Sequence, residues 1–360
     1  MQPVARRRIG EIQWLRAAAA LMVVAAHIKV ALDLRYFQYD MASAPLSPFP
    51  FVAGVDIFFV ISGFVMAYAS EGLHGRSDAW RRFLVRRLAR VAPLYWLMTL
   101  LLIGLMIAIR APDWPEITRW QIAASFLFVP TGNVDGYPFP LLDVGWTLNY
   151  EMMFYVVFAL FVGLRQRWAL LATALVLVGI VALGRIEPMP TIALRFWTDP
   201  VVLEFLGGIG IFLLFRTGLT LPLGVRVALA AAAVVGFFCF PLLDFTWRFL
   251  QWGVPACLLV LAAVTGRGDR HSPAAEWAGD ISYAIYLSHF FVIRIALQIF
   301  ERTAIQSPLL WLVGFPLLVL GGTLVASALL HRLFEKPVLR FIRDRFDRRV
   351  TAGPGAAPGL

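Results

Sequence analysis

Apolar positions do not alternate along this chain and do not recur every third or fourth residue. They fill continuous runs of about 20 residues, the length a helix needs to cross the hydrocarbon core of a bilayer. Ten such runs fall at 12 to 32, 51 to 70, 90 to 109, 146 to 164, 168 to 184, 200 to 215, 225 to 243, 249 to 265, 279 to 299 and 309 to 333. An eleventh apolar piece, WQIAASFLFVP at 120 to 130, is too short to cross upright and reads as a re-entrant or interfacial part of a long loop ending near 145. The stretch SDAWRRFLVRRLARVAPLYW, 77 to 96, breaks the pattern. Its arginines interleave with Phe83, Leu84, Leu88 and Val91 at helical spacing, which predicts a basic amphipathic helix on a membrane surface, leading past Pro93 into the third run.

Composition agrees with the pattern. Of the 360 residues 60% are hydrophobic and only 15% charged, and the mean hydropathy is +0.76. Such a chain has a bilayer for its solvent, so the predicted fold class is all-α, a polytopic integral membrane helical bundle of about ten transmembrane helices. The first run lacks a small-residue cleavage pattern and is followed by further spans, so it reads as an uncleaved signal-anchor. Residues 1–350 form a single membrane domain in this reading, and the Gly/Pro/Ala tail 351–360 is expected to be disordered.

The charge of +10 could point to nucleic acid, but the basic residues are sorted by topology instead. With the N-terminus inside, inner segments hold 22 Lys and Arg and outer segments seven, which places both termini in the cytoplasm and leaves no nucleic-acid partner to invoke. Cys239 and Cys257 lie inside apolar runs, where neither a disulfide framework nor a metal-ligand spacing is apparent.

Ionisable residues inside the runs carry the candidate chemistry, because a charge at bilayer depth costs a few kcal/mol. Arg16 and His27 are separated by about 20° around the helix axis and by about 16 Å along it. One face of the first helix therefore offers a cation toward the inside and a titratable imidazole farther out. A snorkelling arginine and an interfacial histidine would satisfy the same positions, and this helix alone leaves both readings open. Asp56 opens the second run, Glu151 lies near the outer end of the fourth, and His289 lies near the middle of the ninth. On the inner face Arg86, Arg87 and Arg90 crowd one segment, where guanidinium groups can grip phosphates or simply follow the positive-inside bias.

At these positions the sequence resembles the membrane acyltransferase 3 family of bacteria. IQWLRAAAALMVVAAHI, 12 to 28, is similar to its first-helix signature of Arg, ten residues and His; FFVISGF, 58 to 64, resembles its second-span motif. RRLARVAPLYW, 86 to 96, looks like its Arg-x-x-Arg and Pro-x-Tyr-Trp segment, and WTLNYEMMFY, 146 to 155, like its Trp-x-Leu-x-x-Glu-x-x-Phe-Tyr block. ISYAIYLSH at 281 to 289 and EKP at 335 to 337 match its last landmarks, and the IQ before Leu15 and Arg16 resembles the exopolysaccharide-production branch.

The resemblance implies transfer of an acyl group, usually acetyl, from cytoplasmic acyl-CoA to a sugar hydroxyl of an exported or cell-surface polysaccharide. It implies an acyltransferase that moves groups other than amino-acyl groups, multi-pass in the bacterial inner membrane, with acyl-CoA as cosubstrate and no permanently bound cofactor. Polysaccharide or a lipid-linked sugar, membrane lipid and subunits of an export complex are its implied partners. Arg87 and Arg90, with Arg86 assisting, would hold the phosphates of coenzyme A, and Arg16 would line a shaft toward His27. His27 would act as general base toward the hydroxyl, or as a nucleophile through an acyl-histidine, and Glu151 would hold its other nitrogen or orient the sugar. Tyr283, His289, Asp56 and Glu335 are assigned supporting roles, with His289 first among them. The rival reading is a transporter or flippase of a lipid-linked sugar, which would also bury Arg, His and Glu but has no use for a coenzyme A site.

Overall fold

The computed structural model describes residues 9–36, 50–110, 116–132, 136–186, 189–239, 247–266, 272–303, 305 and 307–351. Among them there is no β-strand. The basic residues 6–8, 267 and 270 and the tail 352–360 lie outside the described residues.

Every predicted run is helical. They form α1 (Gly10–Tyr36), α2 (Gly54–Ser70), α3 (Ala79–Ala108), α5 (Trp146–Phe161), α6 (Gln166–Ile186), α8 (Leu203–Arg216), α9 (Leu223–Cys239), α11 (Gly253–Val264), α12 (Pro273–Arg302) and α13 (Phe315–Leu330). Short helices α4 (Arg119–Leu127), α7 (Ile192–Trp197) and α10 (Arg248–Gln251) lie between them, and α14 (Lys336–Thr351) follows α13 without a break, through a π-helical segment at His331–Glu335. Seven of the described helices are long and apolar enough to span a membrane. The predicted runs at 200, 225 and 249 give α8, α9 and α11, of 14, 17 and 12 residues, shorter than the roughly 20 an upright crossing takes.

Pro93 does not divide α3. The basic amphipathic segment and the span it precedes form one 30-residue helix with Pro93 inside it. The piece at 120 to 130 folds as the nine-residue α4, started by a capping box between Thr118 and Gln121 and stopped by Phe128 in the left-handed conformation.

The most extensive packing joins α1 to α12 and α2 to α8. The second contact is backbone against backbone: a Cβ on Gly63 would stand 2.0 Å from the Phe205 carbonyl oxygen, and one on Gly208 2.0 Å from that of Val60. Only glycine permits that approach, the small-residue packing that lipid favours because it offers no hydrophobic drive between helices.

Several predicted inner segments meet at one end of the bundle, hereafter the basal end. The turn after α2 is tied to the α5–α6 turn by Gly75 N–H to Gly163 O (3.0 Å) and by His74 Nδ1 to Val162 O (3.0 Å). Arg216 at the end of α8 reaches Glu71 (3.2 Å), and Leu221 N–H donates to Thr265 O (2.9 Å) after α11. Trp14, Trp80, Trp168 and Trp277, each in the opening turns of a long helix, are about half-exposed, as indoles are when they sit at a membrane–water boundary.

Candidate active site

Helices α1, α2, α3, α5 and α12 enclose a cavity of about 380 Å³. At its basal end stand Arg87 and Arg90, three residues apart and so on one face of α3. Arg87 Nε is buried and has no hydrogen-bond partner among the described residues; its guanidinium carbon lies 5.8 Å from the Phe83 ring centre. Two guanidinium groups at the mouth of a cavity suit a phosphorylated ligand. Arg86, predicted to assist, is exposed and does not line the cavity. One residue from Arg87 is a turn of about 100°, which carries its side chain out of the site.

Arg16 lines the middle of the cavity, its Nη1 3.4 Å from Gln13 Oε1. Facing it across the space, Glu151 accepts hydrogen bonds on one oxygen from Ser62 Oγ (2.8 Å) and from the Tyr155 hydroxyl. Among the described residues Glu151 makes no hydrogen bond to His27, the first of the two roles expected of it; orienting the sugar is the other. Glu151 sits one turn of α5 basal to Thr147, and its hydrogen-bond partners come from α2 and its own helix.

The distal end is closed by Tyr286, Thr147 and Phe58. The Tyr286 hydroxyl donates to Val144 O, a group that can only accept, so the Thr147 hydroxyl donates to Tyr286 (2.7 Å). The Phe58 ring lies edge-on to Tyr286 at 6.1 Å. From Tyr155 to Thr147 the cavity follows about 12 Å of α5.

His27 is not part of the cavity wall. It lies just beyond the distal end, edge to face with His289, the two ring centres 4.8 Å apart and the planes at 61°. His289 in turn lies 6.1 Å from the Tyr286 ring. Of the predicted site residues, Arg16, Arg87, Arg90 and Glu151 share one cavity, His27 stands past its end, and Arg86 is outside. His289, given a supporting role by the sequence, is the residue that touches His27.

The other ionisable residues singled out in the sequence find partners within the bundle. Asp56, fully buried, takes a two-pronged ion pair from Arg248 (2.8 and 3.0 Å), whose guanidinium also lies over Trp252 at 5.0 Å. Arg248 had been counted with the outer loops; it is in fact 7% exposed, because α10 folds back into the bundle. Glu204 is buried beside this pair. Its only signal in the sequence is one acid at the start of an apolar run. Glu335 pairs with His331 (2.9 Å), and the Tyr283 hydroxyl donates to Val91 O (2.8 Å).

The described residues thus form a multi-pass helical bundle with an internal cavity, arginines at one end and imidazoles past the other. The chain belongs to the acyltransferase family whose domain model, Acyl_transf_3, matches residues 9–331. It is 34% identical over 305 residues to the exopolysaccharide production protein ExoZ of Rhizobium meliloti, covering 84% of this chain and 92% of that one. It is 30% identical to the acyltransferase MdmB of Streptomyces mycarofaciens, over 97% of this chain and 96% of the relative. The peptidoglycan O-acetyltransferase OatA of Listeria monocytogenes is 24% identical, with 92% of this chain aligned to 56% of that protein. No solved structure matches. The protein is a multi-pass membrane acyltransferase acting on groups other than amino-acyl groups.

Proposed function

We propose that the protein moves an acyl group, acetyl in the simplest case, from acyl-CoA at the cytoplasmic face of the bacterial inner membrane to a sugar hydroxyl of an exported polysaccharide. The observation that carries this reading is the polarity of the cavity: two arginines with room for phosphate at the basal end, and an imidazole pair just beyond the distal end. The basal end gathers the arginine-rich turns, so by charge bias it faces the cytoplasm, where acyl-CoA is made. ExoZ by its name serves exopolysaccharide production and OatA acetylates peptidoglycan, which makes a polysaccharide the acceptor class to test.

In this reading Arg87 and Arg90 take the phosphates of coenzyme A, and the pantetheine arm runs along the cavity past Arg16 and Glu151. The thioester then arrives under Tyr286 and Thr147, next to His27. His27 Nδ1 is 2.9 Å from Val23 O, and since a carbonyl only accepts, that nitrogen carries the hydrogen and Nε2 keeps the reactive lone pair. A carbonyl thus fixes the tautomer, one of the two tasks expected of Glu151.

The test is label transfer from acetyl-CoA to envelope polysaccharide in inverted membrane vesicles. Wild type is expected to label the polysaccharide, and His27→Ala to lose about 100-fold or more of the rate. Equal labelling by wild type, His27→Ala and Arg87→Ala, with acceptor present, would refute the assignment.

A further inference from the structure

His27 and His289 have the same chemistry by construction. Each ring is tethered through Nδ1 to the carbonyl four residues earlier on its own helix, Val23 O at 2.9 Å and Ile285 O at 3.3 Å. Each therefore presents a bare Nε2. His289 is fully buried, and its Nε2 has no hydrogen-bond partner among the described residues. On the same helix the Tyr286 hydroxyl is spent on Val144 O and cannot supply one. A buried acceptor without a donor destabilises a fold unless a donor visits it. Direct attack of a hydroxyl on a thioester needs one base, which leaves the second lone pair without employment. A route in two steps needs a nucleophile and then a base, and two adjacent imidazoles supply both.

We propose that acyl transfer passes through His27 as a covalent carrier, with His289 as the general base of the second step; this rests on the acyl-transfer function proposed above. In the first step the His27 Nε2 lone pair forms a bond to the thioester carbonyl carbon and the C–S bond breaks, releasing coenzyme A as thiolate. His27 becomes an acylimidazolium, its Nδ1–H still held by Val23 O. That tether keeps the reactive cation: the neutral acylimidazole would turn an Nδ1 lone pair toward the carbonyl oxygen. In the second step the sugar oxygen bonds to the acyl carbon, its proton passes to His289 Nε2, and the C–N bond breaks to return the lone pair to His27. His289 then gives up its proton toward the coenzyme A thiolate, and both rings are neutral again.

The experiment uses the full chain in lipid nanodiscs with acetyl-labelled acetyl-CoA and no polysaccharide, following coenzyme A release and protein-bound label. Wild type is expected to release coenzyme A in a near-stoichiometric burst and to carry label that peptide mapping places on His27. His289→Gln is expected to keep the burst while losing label to water about 100-fold more slowly. Hydroxylamine, a nucleophile that needs no base, should strip both proteins at the same rate, and His27→Gln should show neither burst nor label. Mapping in the wild type does not depend on how any variant folds. Polysaccharide labelled in vesicles by a wild-type enzyme that never carries label itself would overturn the two-step route and leave the acyltransferase function standing. A burst lost in His289→Gln in proportion to turnover would remove His289 as second-step base. Absence of both polysaccharide labelling and coenzyme A release in the wild type would instead defeat the function on which the proposal rests.

Discussion

Single charges decide most of what this protein can do, and two sets of them lead to opposite expectations. Arg87 and Arg90 are expected to govern donor binding: Arg87→Ala should raise KM for acetyl-CoA about 10- to 100-fold, since a charged hydrogen bond is worth about 1.5–3 kcal/mol. Arg86→Ala should leave KM unchanged, because Arg86 does not face the cavity. Steady-state kinetics on the two single variants checks both statements. Asp56 and Arg248 govern stability instead. Asp56→Asn strands a buried guanidinium and should cost about 3–5 kcal/mol, whereas Asp56→Leu combined with Arg248→Met should cost less than either single change, as read by thermal melting in detergent. The sequence exposed Arg16, Glu151 and Asp56 because a charge inside an apolar run is conspicuous. It concealed Arg248, whose partner lies 192 positions away and whose flanking run looks like loop. It left the partner of His27 open: the Val23 carbonyl that holds Nδ1 lies one turn back on the same helix, and a backbone acceptor leaves no mark in the sequence.

At the scale of elements, the α2–α8 contact is the joint most sensitive to a single methyl. Gly63→Ala or Gly208→Ala forces a Cβ onto a carbonyl and should destabilise by about 1–3 kcal/mol. Gly104→Ala meets nothing within 4 Å and should be neutral or stabilising by up to about 1 kcal/mol, which makes it the control in the same melting series. The turn after α2 adds a pH dependence outside the spans. Burial lowers the proton affinity of His74 below its ordinary value, although its bond to Val162 O opposes this. The contribution of His74 is thus complete above an unfolded-state pKa of about 6.5 and declines as pH falls below it. His74→Gln should flatten the melting temperature between about pH 7.5 and about pH 5.5. Helix positions were legible because an apolar run of spanning length has few other uses. Helix lengths were less so: Pro93 lies inside α3, where neighbouring helices compensate the missing hydrogen bond that would end a helix in water.

For the whole molecule, the gathering of the turns after α2, α5, α8 and α11 at one end predicts sidedness. In a variant lacking Cys239 and Cys257, a cysteine at Gly72 should react with an impermeant maleimide only in inverted vesicles, and one at Gly136 only in intact spheroplasts. Reaction of both from the same side would contradict the alternation of spans. The packing of α1 against α12 carries a consequence for biosynthesis. The ribosome finishes α1 first, yet the helix that covers its polar face, from Gln13 against Gly279 to His27 against His289, is made only after three-quarters of the chain has been synthesised. Through that interval Arg16 and His27 wait in the bilayer without their final neighbour. A chain that ends before α12 therefore leaves a helix bearing Arg16 and His27 in the bilayer without the surface that covers it.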